Sequence, residues 1–237
     1  MIIAIPSKGR AGQVKTQKLL TCAVVYVPQL EVESYRSAGT QNVVGVPNDI
    51  HGITATRNWI LKNCNDRHVV MIDDDVKSQG FFKLFTRKSR QKKMSEMDWL
   101  AEFQKLFLVT EDLNYRIWGV STDGALRAVY PYKPFSFRSY ITASCMGLIN
   151  DGDLLFDESF KVKEDYEINL RCIKEDGGVV CARYLYWANS HWHDEGGCKE
   201  YRTQEMERDA IRQLKTMYPG MIRTAKRENS EWTISIV

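Results

Sequence analysis

The sequence predicts an α/β fold with a central, mostly parallel mixed sheet flanked by helices. Apolar runs of strand length, such as Met1–Ile5 and His68–Ile72, are unbroken, which is typical of strands buried on both faces of a sheet. Segments with helical spacing of apolar residues lie between such runs. The 237 residues contain no repeat, low-complexity tract or linker, so we expect a single domain with a substantial core.

The composition is that of a soluble globular protein. Hydrophobic residues make up 43%, charged residues 27%, and the formal net charge is +3, which excludes disordered and fibrous classes. The six cysteines include no Cys-x-x-Cys pair, so neither a disulfide framework nor a zinc knuckle is predicted. The amino terminus lacks the basic start of a signal peptide, and no apolar run approaches the ~18 residues of a membrane helix. We therefore expect a cytoplasmic protein without a membrane partner.

The first part of the chain is predicted to alternate strands with loops. The predicted elements are a strand at Met1–Ile5, a short helix at Lys15–Leu20, a strand at Cys22–Val27 and a strand at Val43–Val46. The loop after the first strand, Pro6–Gly12, contains Ser7, two glycines and Arg10. A basic, glycine-containing loop after a strand is a usual place for a phosphate or a base.

A helix is predicted from Gly52 to Leu61, with Thr54 or Thr56 as its cap and Arg57 in its first turn. The helix dipole disfavours a cation at a helix start, so an arginine in that position often has an anionic partner. Arg57 is therefore a candidate phosphate ligand, and the alternative is a solvated side chain.

Three carboxylates, Asp73, Asp74 and Asp75, end the apolar strand that begins at His68. Ligands of open α/β sheets collect at the carboxyl ends of the strands. Three adjacent acids repel one another, and a bound divalent cation relieves that repulsion. The stretch predicts a metal or nucleotide site, and the alternative is a solvated acidic turn.

Two basic, aromatic stretches are candidate contacts for nucleic acid. Lys77–Lys93 contains cations and phenylalanines but no acid, and Tyr130–Arg138 has a similar character. Clustered cations displace counterions from phosphates, and aromatic rings stack on bases. The alternative for the first stretch is a mobile solvated loop. The residues predicted to contact nucleic acid are Lys83, Arg87, Lys88, Arg90, Lys133 and Arg138.

The remaining elements are predicted from local signals. Ser95 and Asp98 form a helix-start signature, and Met97, Leu100, Phe103, Leu106 and Phe107 form the core-facing stripe of that helix. Further strands are predicted at Ile117–Ser121, Tyr140–Ile149 and Val179–Trp187, a hairpin turn at Asn150–Asp153, and helices at Glu164–Glu175 and Glu200–Tyr218.

A second pair of acids, Glu164 and Asp165, opens the helix that is predicted to run to Glu175. Acids in a first turn complement the helix dipole, which is the structural alternative to a role in chemistry. Two histidines, His191 and His193, follow the strand that is predicted to end at Trp187.

Taken in chain order, these pieces resemble the GT-A glycosyltransferases, which use a divalent metal and a nucleotide sugar. Asp73-Asp74-Asp75 matches their Asp-x-Asp motif, Glu164-Asp165 matches their acceptor-side x-Glu-Asp motif, and His193 or His191 matches their carboxy-terminal metal ligand. The segments Ile5–Arg10, Lys163–Glu167 and Gly196-Gly197 are similar to the TET-associated glycosyltransferases of bacteriophages. Members of that family are thought to glycosylate 5-hydroxymethyl-pyrimidines in phage DNA.

The resemblance implies a role for each motif. It implies a Mn²⁺ or Mg²⁺ ion held by Asp75, Asp73 and His193, with His191 as the alternative histidine. The implied contacts of the UDP-sugar are Pro6, Ser7, Arg10, Arg57, Asp73 and Asp74. The implied catalytic residues are Asp165 and Glu164, with Asp165 as the general base of an inverting displacement.

The resulting hypothesis is a metal-dependent hexosyl- or pentosyltransferase that acts on 5-hydroxymethylcytosine in DNA, in the host cytoplasm if a phage encodes it. One alternative is a GT-A glycosyltransferase whose acceptor is a protein, a lipid head group or a small molecule. The other is a nucleic-acid-binding protein whose acids are only structural. We expect residues 1–76 to form a nucleotide-binding half, 77–94 a basic loop, and 95–237 an acceptor-binding half.

Overall fold

The computed structural model of the chain describes residues 1–82, 91–122, 133–189, 203–224 and 234–236. The strands in these ranges are β1 (Ile2–Pro6), β2 (Val24–Pro28), β3 (Val43–Val46), β4 (His68–Ile72), β5 (Val76–Phe82), β6 (Gln91–Lys92), β7 (Ile117–Ser121), β8 (Phe135–Ser136), β9 (Cys145–Ile149), β10 (Val180–Asn189), β11 (Ile222–Thr224) and β12 (Ile234–Ile236). The α-helices are α1 (Val32–Ser37), α2 (Ile53–Asn63), α3 (Glu96–Asp112), α4 (Glu164–Glu175) and α5 (Gln204–Met217).

One mixed sheet organises the described residues. Its strand order is β3-β2-β1-β4-β9-β7-β10-β5-β6, with β8 beside β10. The strands β3, β2, β1 and β4 are parallel, β9 runs antiparallel between β4 and β7, and β10 is parallel to β7 but antiparallel to β5. The strands β11 and β12 form a separate antiparallel pair. The predicted α/β architecture with a central mixed sheet is confirmed.

Both faces of the sheet are covered by helices. Val70 and Ile72 of β4 pack in the layer that contains α3, whereas Val69 and Met71 pack in the layer that contains α2 and α4. Successive side chains of a strand point to opposite faces, so a strand between two helical layers is apolar at every position. This explains the unbroken apolar run of β4, whose predicted bounds are confirmed.

The helix α3 begins at the predicted capping box. Ser95 Oγ accepts a hydrogen bond from the Asp98 N–H at 3.2 Å, and the Asp98 carboxylate accepts one from the Ser95 N–H at 2.9 Å. The predicted stripe is confirmed at Phe103, Leu106 and Phe107, but Met97 is 74% exposed and Trp99 is buried instead. Trp99 lies one helical turn before Phe103, so it shares the buried face, whereas Met97 lies on the opposite side.

Two predictions in the first half of the chain are wrong. Lys15–Leu20 forms turns and no helix, because Thr16 bonds to the backbone of the acidic turn instead of starting a helical ladder. The cap of α2 is Gly52, with φ of 86°, and neither threonine caps it. Thr54 Oγ1 donates to the Phe160 carbonyl at 2.8 Å, so its hydroxyl ties the helix to the segment before α4.

Three later predictions also need correction. The predicted basic loop at 77–94 begins as a strand that extends to Phe82. This strand, β5, pairs with β10 and buries Gln79 and Phe82. Of the strand predicted at 140–149, only Cys145–Ile149 forms a strand of the sheet. The turn at Asn150–Asp153 leads towards α4 and closes no hairpin, because the partners of β9 are β4 and β7.

The other predicted elements agree closely with the structure. The helix α4 has the predicted bounds, β10 extends two residues beyond the predicted Trp187, and α5 begins at Gln204. None of the helices in the described ranges combines the length and hydropathy that crossing a bilayer requires.

Candidate active site

The acidic turn lies where the sheet changes from parallel to antiparallel. The strand β4 has parallel β1 on one side and antiparallel β9 on the other. The ends of the parallel strands β1 and β4 therefore meet at one edge, which brings the loop after Pro6 next to Asp73. A crevice at such a switch point is the usual ligand site of open α/β sheets.

The central acid of the turn, Asp74, holds the first loop in place. Ser7 Oγ donates to Asp74 Oδ2 at 2.5 Å, and the Arg10 guanidinium donates to Asp74 Oδ1. Tyr35 adds a second tie, because its hydroxyl accepts from the Arg10 N–H at 2.9 Å and lies 2.9 Å from Ser7 Oγ. Asp74 is only 3% exposed, and both its carboxylate oxygens bind the loop after β1. Its predicted contact with the UDP-sugar stays a prediction.

The backbone of the turn is fixed from two sides. Thr16 Oγ1 donates to the Asp73 carbonyl at 2.6 Å, and the Thr16 N–H donates to the Asp74 carbonyl at 3.2 Å. From the other side, the Asp73 N–H donates to the Ser144 carbonyl at 3.2 Å. Thr16 is fully buried, and sequence reasoning missed it because a single threonine in a loop carries no motif.

Arg57 joins the acidic turn to the helix α4. Its Nη1 donates to Glu164 Oε1 at 2.5 Å, and its Nη2 donates to Asp73 Oδ1 at 3.3 Å. Its side chain is 4% exposed, and the guanidinium lies 5.7 Å from the centre of the Phe156 ring. The anionic partners expected for this arginine are therefore two carboxylates, and a contact with a phosphate stays a prediction.

The two carboxyl groups beside Arg57, those of Glu164 and Asp73, both have pKa values above the ordinary range. Burial raises the pKa of Glu164, the Arg57 charge opposes that shift, and the Asp165 charge adds to it. Burial also raises the pKa of Asp73 to about 7. The positive charge of Arg57 opposes this shift, and the negative charges of Asp75, Asp74 and Glu164 add to it. The Asp73 side chain keeps 29% exposure, so this carboxylate is accessible to a ligand at the switch point of the sheet.

Asn189 adds a contact that sequence reasoning missed. It is the last residue of β10, and its Nδ2 donates to Asp73 Oδ2 at 3.0 Å. The Asn189 Oδ1 atom is buried and has no hydrogen-bond partner among the residues that the structure describes. The chain continues from Asn189 to His191 and His193, which lie outside the described residues.

The donor groups of the turn suit a hard divalent cation. Asp75 lies on the same turn as Asp73, 8% exposed, with Oδ2 3.9 Å from Arg10 Nη1. Mg²⁺ and Mn²⁺ prefer carboxylate oxygens and are often held by one or two carboxylates together with substrate phosphates. Within the described ranges, no three His, Cys, Asp or Glu side chains converge into a complete metal-binding group. Asp73 and Asp75 therefore fit part of a metal shell, and the histidine predicted to complete it is not described.

Asp165 lies at the start of α4 with a donor on each carboxylate oxygen. The Tyr140 hydroxyl donates to Oδ2, and the Tyr166 N–H donates to Oδ1 at 2.9 Å. The residue before the acid pair, Lys163, has a left-handed backbone with φ of 61° and forms a buried ion pair with Glu207 of α5 at 2.8 Å. The acid pair thus sits at a helix start that tertiary contacts fix.

The predicted nucleic-acid contacts are described only in part. Lys83, Arg87, Lys88 and Arg90 lie outside the described residues. Lys133 and Arg138 are exposed, and the segment that carries them leads to Tyr140 beside Asp165. Phe82 is 1% exposed, so this ring belongs to the core and is not available to stack on a base.

The sequence matches the family described as TET-Associated Glycosyltransferase over residues 1–197. No match is found among curated proteins. Among solved structures, S. aureus TarS 1-349 in complex with UDP-GlcNAc has a TM-score of 0.50 at 14% identity, over 98% of this chain and 69% of that chain.

Two other solved structures have similar scores. Glucosyl-3-phosphoglycerate synthase from Mycobacterium tuberculosis, in complex with Mn²⁺, UDP-glucose and glycerol 3-phosphate, has a TM-score of 0.54 at 11% identity, over 99% of this chain and 88% of that chain. The mannosyltransferase PcManGT from Pyrobaculum calidifontis, in complex with GDP-Man and Mn²⁺, has a TM-score of 0.52 at 11% identity, over 91% of this chain and 61% of that chain. These likenesses show a shared fold, and that fold is the predicted GT-A fold.

Proposed function

Since the chain belongs to the TET-associated glycosyltransferase family, we propose that it moves a sugar from a UDP-sugar to the hydroxyl of 5-hydroxymethylcytosine in DNA. The observation that carries this proposal is the contact of Arg57 with both Asp73 and Glu164. Because one guanidinium contacts both carboxylates, the predicted donor motif and the predicted acceptor motif lie close together. Lys133 and Arg138, exposed on the segment that leads to Tyr140, support a polyanionic acceptor.

The choice of donor is supported by the structures with the same fold. TarS is in complex with UDP-GlcNAc, and the mycobacterial synthase is in complex with UDP-glucose and Mn²⁺. In this chain Asp73, Asp75 and His193 or His191 would hold the cation. A bound Mn²⁺ or Mg²⁺ supplies positive charge against the charge that develops on the leaving diphosphate.

The residues of the chain would bind the donor and move one proton. Pro6 and Ser7 would line the nucleoside site, while Arg10 and Arg57 would offset phosphate charge. Asp165 would accept the proton of the acceptor hydroxyl as its oxygen bonds to the anomeric carbon. The bond from that carbon to the diphosphate oxygen breaks in the same displacement, so the sugar configuration inverts.

The decisive experiment is mass spectrometry of an oligonucleotide that contains 5-hydroxymethylcytosine, incubated with the protein, Mn²⁺ and a panel of UDP-sugars. We expect a mass increase of one sugar, and we expect Asp165→Asn to lower the single-turnover rate at least a hundredfold, since a general base contributes about 10²–10⁴-fold. The control is Asp209→Asn, which changes an exposed acid of α5 that pairs with Arg212.

Release of UDP without any modified DNA would overturn the DNA acceptor while leaving a glycosyltransferase. Single- and double-stranded oligonucleotides should be compared, because a duplex base must leave the stack to bring its hydroxymethyl group to Asp165.

A further inference from the structure

We propose that Tyr140 is a positioning residue that holds the Asp165 carboxylate in the orientation that receives the acceptor proton. This inference rests on the proposed function, which makes Asp165 the general base. Tyr140 belongs to none of the matched motifs, and it reaches the acid pair from the segment before β9.

The first support is the hydrogen bonding of the carboxylate. Tyr140 donates to one oxygen of Asp165 and the Tyr166 N–H to the other, so the plane of the carboxylate is fixed. A carboxylate oxygen has two acceptor sites, so each oxygen can still accept a proton from a substrate hydroxyl. The contact thus orients the base without blocking it.

The second support is that Tyr140 is itself held rigidly. Its ring stacks on the Tyr166 ring, with 3.9 Å between centroids and 12° between planes. Asn169, which is fully buried, donates from Nδ2 to the carbonyls of Ile141 and Asp165, both at 2.7 Å, and accepts from the Ile141 N–H at 3.0 Å. Both N–H donors of the Asn169 amide and its carbonyl oxygen are thus used to hold the segment of Tyr140 against the first turn of α4.

The third support is the charge around the phenol. Burial raises the pKa of Tyr140 well above its ordinary value, and the charge of Asp165, the neighbouring Tyr166 and Glu164 add to that shift. Lys163, whose ammonium lies 5.0 Å from the centre of the Tyr166 ring, pairs with Glu207 at 2.8 Å. The Tyr140 hydroxyl therefore stays protonated and keeps donating to the carboxylate.

The test compares Tyr140→Phe with Tyr184→Phe. Tyr184 is a matched control, because its hydroxyl also donates to a carboxylate, Glu102, at 2.8 Å. This pair lies in the layer of α3, whereas the acid pair belongs to α4 in the layer on the other face of the sheet. With UDP-glucose and a 5-hydroxymethylcytosine oligonucleotide as probes, Tyr140→Phe should slow single-turnover transfer by about tenfold or more. Its KM for UDP-glucose should stay within about twofold of wild type, because the donor motif is untouched.

A second readout does not depend on turnover. In protein labelled with ¹³Cζ-tyrosine, the NMR signal that Tyr140→Phe removes identifies Tyr140. In Asp165→Asn at neutral pH the signal of this phenol should move from its wild-type position, because its hydroxyl no longer donates to a charged carboxylate. An unchanged signal would show that the contact is absent and would overturn the proposal.

The kinetic outcomes separate the two proposals. If Asp165→Asn is inactive and Tyr140→Phe is as fast as Tyr184→Phe, the positioning role is wrong while the proposed function stands. If wild type transfers nothing to the oligonucleotide, or Asp165→Asn keeps the wild-type rate, the proposed function fails and the role of Tyr140 fails with it.

Discussion

Arg57 and Glu164 form a buried ion pair across 107 positions of the sequence, with Nη1 and Oε1 2.5 Å apart. The pair joins the start of α2 to the start of α4, and the same guanidinium reaches Asp73. Arginine has a planar fork of donors and can hold two carboxylates at fixed positions. The relative position of Asp73 and Glu164 therefore depends on the shape of this side chain as well as on its charge.

The first prediction concerns that shape. Arg57→Lys keeps the charge, but a single ammonium replaces the fork and will contact one of the two carboxylates only. We expect a folded protein whose single-turnover transfer rate is lower by about tenfold or more. The control is Arg116→Lys, because Arg116 also spans two acids, Glu175 at 2.6 Å and Asp176 at 2.7 Å, at the opposite end of α4 from Glu164. Equal rates in the two variants would make Arg57 a structural ion-pair partner without influence on transfer.

The second prediction concerns the metal. Asp75→Asn removes a charged oxygen donor from the turn, so the gain in UDP affinity on adding Mn²⁺ should disappear. Calorimetry with UDP, with Mn²⁺ and with a chelator, measures that gain. Asp151→Asn, in an exposed turn, should behave like wild type. A metal-dependent gain that survives in Asp75→Asn would remove Asp75 from the site.

The third prediction concerns pH and Glu167, which is 2% exposed and accepts from the Tyr218 hydroxyl at 2.8 Å. Burial raises its pKa above the ordinary 4.5, although Arg171 opposes the shift. The folded protein then holds this proton more tightly than the unfolded chain, so the contribution of Glu167 to stability falls as the pH rises above 4.5. Glu167→Gln lacks that dependence, and its stability relative to wild type should improve with rising pH.

Urea unfolding across a pH series tests this, with Glu111→Gln as a control of opposite sign. A hydrogen bond with His68 lowers the pKa of Glu111, so wild type should gain on that variant as the pH rises towards 4.5, and the difference should stay constant above that pH. Parallel pH curves for wild type and Glu167→Gln would contradict the prediction.

The fourth prediction concerns DNA. If Lys133 and Arg138 contact phosphates, changing both to Gln should reduce the slope of log affinity against log salt by about 0.9 per lost contact. Lys62 and Lys105, exposed on α2 and α3, provide a double variant with the same change of charge. Fluorescence anisotropy of a labelled oligonucleotide measures both slopes. Equal slopes in the two double variants would place the DNA elsewhere.

Local signals predicted most of the fold. The capping box at Ser95 involves residues three positions apart, and the apolar run of β4 records burial on both faces. The prediction of helix at Lys15–Leu20 was wrong, because the Thr16 hydroxyl donates to the Asp73 carbonyl, which lies 57 positions later in the chain.

The motif acids were predictable from the sequence, but the residues that hold them were not. Tyr140 reaches Asp165 across 25 positions, Thr16 reaches the Asp73 carbonyl across 57, and Asn189 reaches the Asp73 side chain across 116. Each of these residues is of a common type and acquires its task only when distant segments are brought together by the sheet. Arg57 was singled out because a cation at a helix start needs an anion, yet the sequence did not show that the anions are carboxylates.

The ion pair between Lys163 and Glu207 bears on where this enzyme can be shortened. The family match ends at residue 197, whereas Glu207 lies on α5 beyond it. Lys163 is 8% exposed, so a chain cut at the end of the match would bury a lysine charge without this partner, next to the acid pair. The folded unit that fixes the start of α4 and Asp165 therefore extends beyond the residues that match the family, and a truncated protein should retain α5.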